Sequence, residues 1–215
     1  MPASNAQSQP SRSSRPRWAS TSGGGTLADD IGKHLPSSGS YAMAVSKEFR
    51  LQQVPYEHSD VASLEAAAQQ FYVQLYGSPD ETPFTTADFS PPRGAFFVGY
   101  LNDTPVAMGG WRFRTPGVPR VAQRPAEIRR MFVDERVRGH GLARIVLAAL
   151  EASAAAAGAD WMLLETGRPQ VAAVYLYRSS GYVDVERFGY YAASEEALNL
   201  GRRLRDRRAV SQPDQ

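Results

Sequence analysis

Apolar residues begin to recur with a regular period only near Lys47, and beyond that point two periods alternate along the chain. Phe49 to Val54 reads as an edge strand ending at Pro55. Leu64, Ala67, Ala68, Phe71 and Leu75 then recur at helical spacing, with Asp60 as the expected cap and Gly77-Ser78-Pro79 as the stop. Asp80 to Pro92 follows as a long loop with one helical turn, of the kind that borders binding sites. From Gly94 the period becomes that of strands. Ala95 to Leu101, a turn at Asn102-Asp103 and Pro105 to Arg114 predict a hairpin, and Ala126 to Val133 a further strand. Leu142, Ile145, Val146, Ala149, Leu150 and Ser153 mark one face of a helix that stops at Gly158. Trp161 to Thr166 is nearly all apolar, as a strand covered on both faces would be. A helix over Gln170 to Ser180, a strand over Tyr182 to Tyr190 and a closing edge strand over Ala197 to Leu204 complete the pattern. Strands and helices in this order predict an α/β protein, a sheet of mixed direction with helices on both faces.

Residues 1–44 contain few apolar side chains and many Ser, Gly and Pro, too little to offset the entropy of ordering, so they are expected to be a disordered extension. They lack the apolar core of a secretory signal, and their Gly and Pro content argues against a transit helix. The expected division is this extension, a folded domain over 45–204, and a flexible basic tail over 205–215. The 24 basic and 22 acidic residues of the chain give +2, yet residues 45–200 alone hold 15 basic and 18 acidic groups. The basic character therefore belongs to the ends, and nucleic-acid binding is disfavoured. Zero cysteines exclude disulfides and thiolate zinc, and His34 and His58 suggest no metal site. No run reaches the ~20 apolar residues of a membrane span, and a cytoplasmic protein is expected.

The sharpest local feature is Arg136-Val137-Arg138-Gly139-His140-Gly141 between a strand and a helix. Two glycines there let backbone N–H groups converge at a helix start, whose dipole adds positive potential, a place suited to phosphate oxygens. It lacks the Lys-Ser or Lys-Thr ending of a P-loop, and Arg144 stands where a dinucleotide fingerprint has its third glycine or alanine. Glu127 lies twelve residues before Gly139, and Tyr177 lies 36 residues after Gly141, within Ala173-Val174-Tyr175-Leu176-Tyr177-Arg178-Ser179-Ser180-Gly181-Tyr182.

This set resembles the GNAT superfamily of acyl-CoA-dependent N-acetyltransferases, in its generic bacterial-type members, over about residues 48 to 204. The resemblance implies a GNAT fold: a mixed, mostly antiparallel twisted sheet of six to seven strands flanked by about four helices, splayed between the fourth and fifth strands. It implies acetyl-CoA as acyl donor and an amine acceptor, on a small molecule or a protein, and leaves a homodimer open. Met131, Phe132 and Val133 would offer strand backbone to the pantetheine arm. Arg138, Gly139, His140, Gly141, Leu142, Ala143 and Arg144 would present N–H groups to the pyrophosphate, with Arg136 or Arg138 adding charge. Gln170 stands nearest to where many members carry an asparagine at the cofactor. Glu127 matches the catalytic glutamate of several members, and Tyr177 the tyrosine acting as acid toward the leaving thiolate.

The residues themselves leave other readings open. Glu127 is base or ion-pair partner of Arg129 or Arg138, with Glu165 as the next candidate for the base; Tyr177 is acid or packed phenol; His140 suits a solvent-facing turn better than catalysis. A fold that holds acyl-CoA without turnover is the competing function. The acceptor would be chosen by Tyr76 to Arg93 and Trp111 to Pro125, where Phe84, Phe89, Trp111, Arg112 and Arg114 would suit an apolar part and a carboxylate.

Overall fold

The structure, a computed structural model, describes residues 48–115, 119–120 and 122–204; the expected extension and tail, residues 1–44 and 205–215, lie outside them. The strands are β1 (Phe49–Val54), β2 (Gly94–Leu101), β3 (Thr104–Phe113), β4 (Pro125–Val133), β5 (Trp161–Gly167), β6 (Val183–Asp184) and β7 (Ala197–Arg203). They form one sheet in the order β1-β2-β3-β4-β5-β7-β6, antiparallel except for the parallel pair β4 and β5. Three α-helices accompany it among the described residues, α1 (Ser59–Tyr76), α2 (Leu142–Ala156) and α3 (Val171–Ser179), with short 3-10 turns at Thr86–Phe89 and Glu135–Val137. No helix among the described residues is long and apolar enough to cross a membrane.

Each face of the sheet carries its own core. On one, Val146, Leu150 and Ala154 of α2 pack with Ala107, Trp111, Met162, Leu164 and Leu200, and Trp111 Nε1 donates to Ser153 Oγ at 3.0 Å. On the other, Val61, Leu64 and Ala68 of α1 pack with Phe96, Val98, Met108 and a ring cluster of Tyr56, Phe84 and Phe89. A strand whose alternate residues enter two separate cores has only one register that satisfies both.

Four local expectations change. The cap of α1 is His58, whose Nδ1 accepts from the Asp60 N–H; Asp60 sits in the first turn, where its charge suits the helix dipole and its carboxylate accepts from Tyr100. The core face of α2 takes Leu147 and Ala154, leaving Ile145 partly outside. The strand expected over Tyr182 to Tyr190 shrinks to Val183–Asp184, because Tyr182 turns into the core and bonds Glu151 while the chain after Val185 leaves the sheet. Finally, β7 is internal: it inserts between β5 and β6 with seven pairs to β5, and β6 forms the edge.

The packing assigns unequal weight to apolar positions. Leu150→Ala, at a side chain with no exposure, should lower unfolding free energy by about 2–5 kcal/mol. Val171→Ala, at an exposed helix position, should change it by no more than about 0.5 kcal/mol. Urea unfolding of the two variants checks the contrast.

Candidate active site

The two middle strands touch only at their start. Pro125, Ala126 and Glu127 pair with Trp161, Met162 and Leu163, after which β4 and β5 part. A bulge in β4 helps to turn it aside: Met108 pairs with Phe132 and Gly110 with Arg129, so Arg130 and Met131 together face Gly109. Arg130 takes a φ of 56°, costly for a side chain of this hand, and its guanidinium is held there by Glu65 at 3.2 Å and Asp80 at 3.0 Å. Residues 128–133 are thereby left with one backbone edge that no strand of the sheet covers, the kind of edge to which an extended ligand can add. Met131, Phe132 and Val133 lie on this stretch. The carbonyl of Val133, however, already accepts from Arg138 Nε at 2.9 Å.

The glycine turn follows directly. Gly139 and Gly141 have φ of 83° and 81°; a Cβ added at either would meet nothing within 4 Å, so it is the backbone conformation and not crowding that favours glycine. Gly141 caps α2 without any side-chain bond, and its carbonyl accepts from the N–H groups of Arg144 and Ile145. The helix start thus presents backbone donors and positive dipole outward. Leu142 is buried and contributes backbone alone; Ala143 is half-buried behind it. Arg144 reaches across to Ser179 Oγ at 2.8 Å. Arg136 is engaged by Asp134, whereas Arg138 lies over the rings of Phe71 and Phe132. His140 Nδ1 sits 3.2 Å from the Val137 carbonyl, inside the turn.

Glu127 is 1% exposed and surrounded by arginine. Its oxygens accept from Arg112 Nε at 3.1 Å and Arg114 Nη1 at 3.2 Å, with Arg129 Nη1 at 3.8 Å, and Arg112 also grips Asp88 at 3.0 Å. Of the two readings of this residue, the geometry supports ion pairing, with Arg112 and Arg114 where Arg138 was an expected partner. Arg112 and Arg114 are in turn unavailable to an acceptor carboxylate, while Phe89 and Trp111 are buried in the cores. Glu127 also lines neither of the two cavities in the splay.

Those cavities, of about 260 and 60 Å³, share a wall formed by Tyr72, Asp80, Arg129, Glu165, Thr166 and Gln170. The larger opens toward Tyr76, Tyr191 and Glu196; the smaller reaches Met131 and Tyr177. Glu165 is the carboxylate of this wall that has no ion-pair partner among the described residues. The Tyr191 backbone and the Asn199 amide lie near it, but neither oxygen closes a hydrogen bond of good geometry. Burial pushes its carboxyl above the usual range, Arg129 opposes that shift and Glu127 adds to it. Gly189 lies over it so closely that an added Cβ would come within 2.8 Å of the carboxylate. Asp80 behaves oppositely: burial raises it, but hydrogen bonds from Thr82 and the charges of Arg130 and Arg129 outweigh burial and hold it low.

Tyr177 is buried, and its hydroxyl has the Met131 thioether as partner at 3.5 Å, a weak acceptor. Burial raises its phenol well above the ordinary value, so it stays protonated. Gln170 ends the loop before α3, and its amide donates to Tyr76 Oη at 3.0 Å, bridging α1 to the far side of the splay. Tyr191 makes a similar bridge, accepting from the Glu81 N–H at 3.0 Å. Arg129, Tyr72 and Tyr191 are site residues that the sequence reading missed. Arg129 carried one signal, its position two residues after Glu127 on the same strand face; the tyrosines carried none.

The model of the acetyltransferase (GNAT) family matches residues 61–182. The chain belongs to the GNAT family. An IAA acetyltransferase of Azospirillum brasilense is 29% identical over 144 residues, which span 67% of this GNAT chain and 90% of that protein. In fold, the chain is similar to a Klebsiella pneumoniae protein named as an acyl-CoA N-acyltransferase, with a TM-score of 0.58, 23% identity and coverage of 73% and 97%. It is also similar to a GNAT acetyltransferase from Elizabethkingia anophelis with acetyl-CoA bound, with a TM-score of 0.51, 12% identity and coverage of 73% and 98%.

The raised carboxyl of Glu165 has a consequence for the stability of this GNAT domain. A carboxyl whose folded pKa exceeds its unfolded one favours folding when protonated and opposes it as pH rises through that interval. Glu165→Gln should therefore have a higher urea midpoint than wild type at pH 8. The advantage should shrink as pH falls through the folded and then the unfolded carboxyl's titration, and be largely gone about one to two pH units below the ordinary glutamate value. A variant less stable than wild type at pH 8 would contradict the assignment.

Proposed function

We propose that this GNAT protein transfers an acetyl group from acetyl-CoA to a primary amine, in a ternary complex, with Glu165 as base and Tyr177 as acid. The observation that carries the reading is the uncovered edge of β4, which runs from the glycine turn into a wall holding both Glu165 and Tyr177. The donor set fits acetyl-CoA. Met131 and Phe132 offer strand backbone to an extended amide chain, and the N–H groups at Gly139 to Arg144 suit pyrophosphate oxygens, with Arg138 and Arg144 nearby. When bound, acetyl-CoA supplies an acyl group activated as a thioester. Glu127 takes a positioning role, fixing Arg129 and the start of the splay.

An ammonium nitrogen has no free electron pair, so one proton must leave before it can attack a carbonyl. Glu165, whose carboxyl burial raises above the usual range, accepts that proton directly or through one water. Tyr177 keeps its proton at neutral pH and has no strong acceptor, which leaves its O–H to stabilise and protonate the departing thiolate. A protein that held acyl-CoA without turnover would need neither group, and the uncompensated burial of Glu165 favours the enzyme. The same reading places it in the cytoplasm.

Thiol release from acetyl-CoA across an amine library tests the proposal. With an acceptor in hand, Glu165→Gln should lower kcat by about 10²-fold or more. Tyr177→Phe should cost as much or less, and Glu127→Gln should act mainly through stability. Wild-type kcat/KM should rise with pH through an apparent pKa above the usual carboxylate range, and Glu165→Gln should lose that limb. A limb that survives in Glu165→Gln and vanishes in Glu127→Gln would return the base to Glu127.

A further inference from the structure

The smaller cavity of the splay reaches Met131 and Tyr177 beside the uncovered edge of β4, and its 60 Å³ leave room for little beyond the reacting atoms. The larger shares a wall with it and leads away to Tyr76, Tyr191 and Glu196. It measures about 260 Å³, whereas a cavity of about 150 Å³ already takes a benzene ring. Tyr76, the last residue of α1, is 39% exposed, yet it is held at this cavity from two sides. Gln170 Nε2 donates to its hydroxyl at 3.0 Å, and the hydroxyl lies so close to Gly167 that a Cβ there would collide with it. Tyr191 is tied in the same way: its hydroxyl accepts from the Glu81 N–H at 3.0 Å and donates to Asp80 Oδ1 at 3.2 Å. With both hydroxyls bonded within the protein, what these side chains offer the cavity is ring surface.

We infer that the larger cavity holds the far end of the acceptor amine, an uncharged apolar group the size of a ring, and that Tyr76 is the specificity residue whose ring forms its outer wall. The inference rests on the transferase reading for the reacting end and deepens it by naming the acceptor class. Charge excludes the alternatives. Arg129 is the one cation lining this cavity among the described residues, and its side chain is buried, with Asp80 at 3.6 Å and Glu127 at 3.8 Å. Glu196 at the mouth is exposed and has no ion pair among the described residues. A carboxylate on the far end of the acceptor would therefore meet a like charge with no cation to offset it. A second ammonium would gain little from a carboxylate already in water. An apolar group meets neither obstacle and removes ring surface from water.

Phenethylamine, butylamine, 1,4-diaminobutane and 4-aminobutanoate carry a ring, a methyl, an ammonium and a carboxylate at the end away from the reacting amine. Calorimetric titration of each into full-length protein saturated with CoA should give phenethylamine a Kd lower by roughly tenfold or more than the other three. Thiol release from acetyl-CoA, corrected for the neutral-amine fraction, should rank phenethylamine first in kcat/KM as well. Tyr76→Ala should narrow the preference for phenethylamine over butylamine by about threefold or more. Gly167→Ala, which drives the Tyr76 ring aside, should narrow it in the same way, and Tyr76→Phe, which restores the ring without the hydroxyl, should recover it. Thiol release with no preference for the ring, or with the diamine or the amino acid preferred, would overturn the inference while leaving the transferase reading intact. A ring preference that Tyr76→Ala leaves unchanged, or that Tyr76→Phe fails to recover, would remove Tyr76 from the assignment. The binding order without thiol release from any amine would sink the transferase reading and leave the role of Tyr76 standing.

Discussion

The parting of β4 from β5 after three residue pairs is the constraint on which the site depends. A sheet of this size would ordinarily pair its central strands along their length, since unpaired backbone inside a protein is costly. Here the bulge at Arg130 and Met131 turns β4 away while β5 finds its full complement of partners in β7. The result is one uncovered strand edge, a glycine turn at its end and a wedge-shaped gap walled by α1, α3 and the loop before β7. Each feature of the proposed cofactor site is a consequence of that gap rather than an addition to it.

Buried charge is the second organising element. Arg112 on β3, Arg114 just after it, and Arg129 and Arg130 on β4 meet Glu65, Asp80, Asp88 and Glu127 from α1, the α1–β2 loop and β4. Breaking such a set by removing one member leaves an uncompensated charge, which makes it a rigid frame for the bulge. Glu165 and part of Arg129 stand outside this satisfaction. Groups left unsatisfied in a cavity wall are the expected form of a site that trades stability for chemistry.

Much of the architecture was legible in the sequence, because hydrophobic period and glycine position are local properties. The hairpin of β2 and β3, the extent of α1, the apolar strand β5 and the turn at Gly139 and Gly141 all follow from neighbours within a few residues. What was not legible depends on partners distant in sequence. The insertion of β7 beside β5, the truncation of the strand after Tyr182 by the turn to Gly189, and the bulge opposite Gly109 are decided by pairing across the sheet. So is the fate of Glu127: an acid next to Arg129 reads equally as base or partner until Arg112 and Arg114 arrive from the adjacent strand. The expectation of acceptor-facing arginines at 112 and 114 failed for the same reason.

Amide hydrogen exchange of the full chain with and without CoA tests the central claim most directly, because it reads the backbone that the splay is said to leave for the ligand. Saturating CoA should slow exchange at residues 130–133 of β4 and 138–144 at the glycine turn by about tenfold or more, by closing local openings that ligand binding disfavours. Slowed exchange confined to other segments, with 130–133 and 138–144 unchanged, would contradict the account.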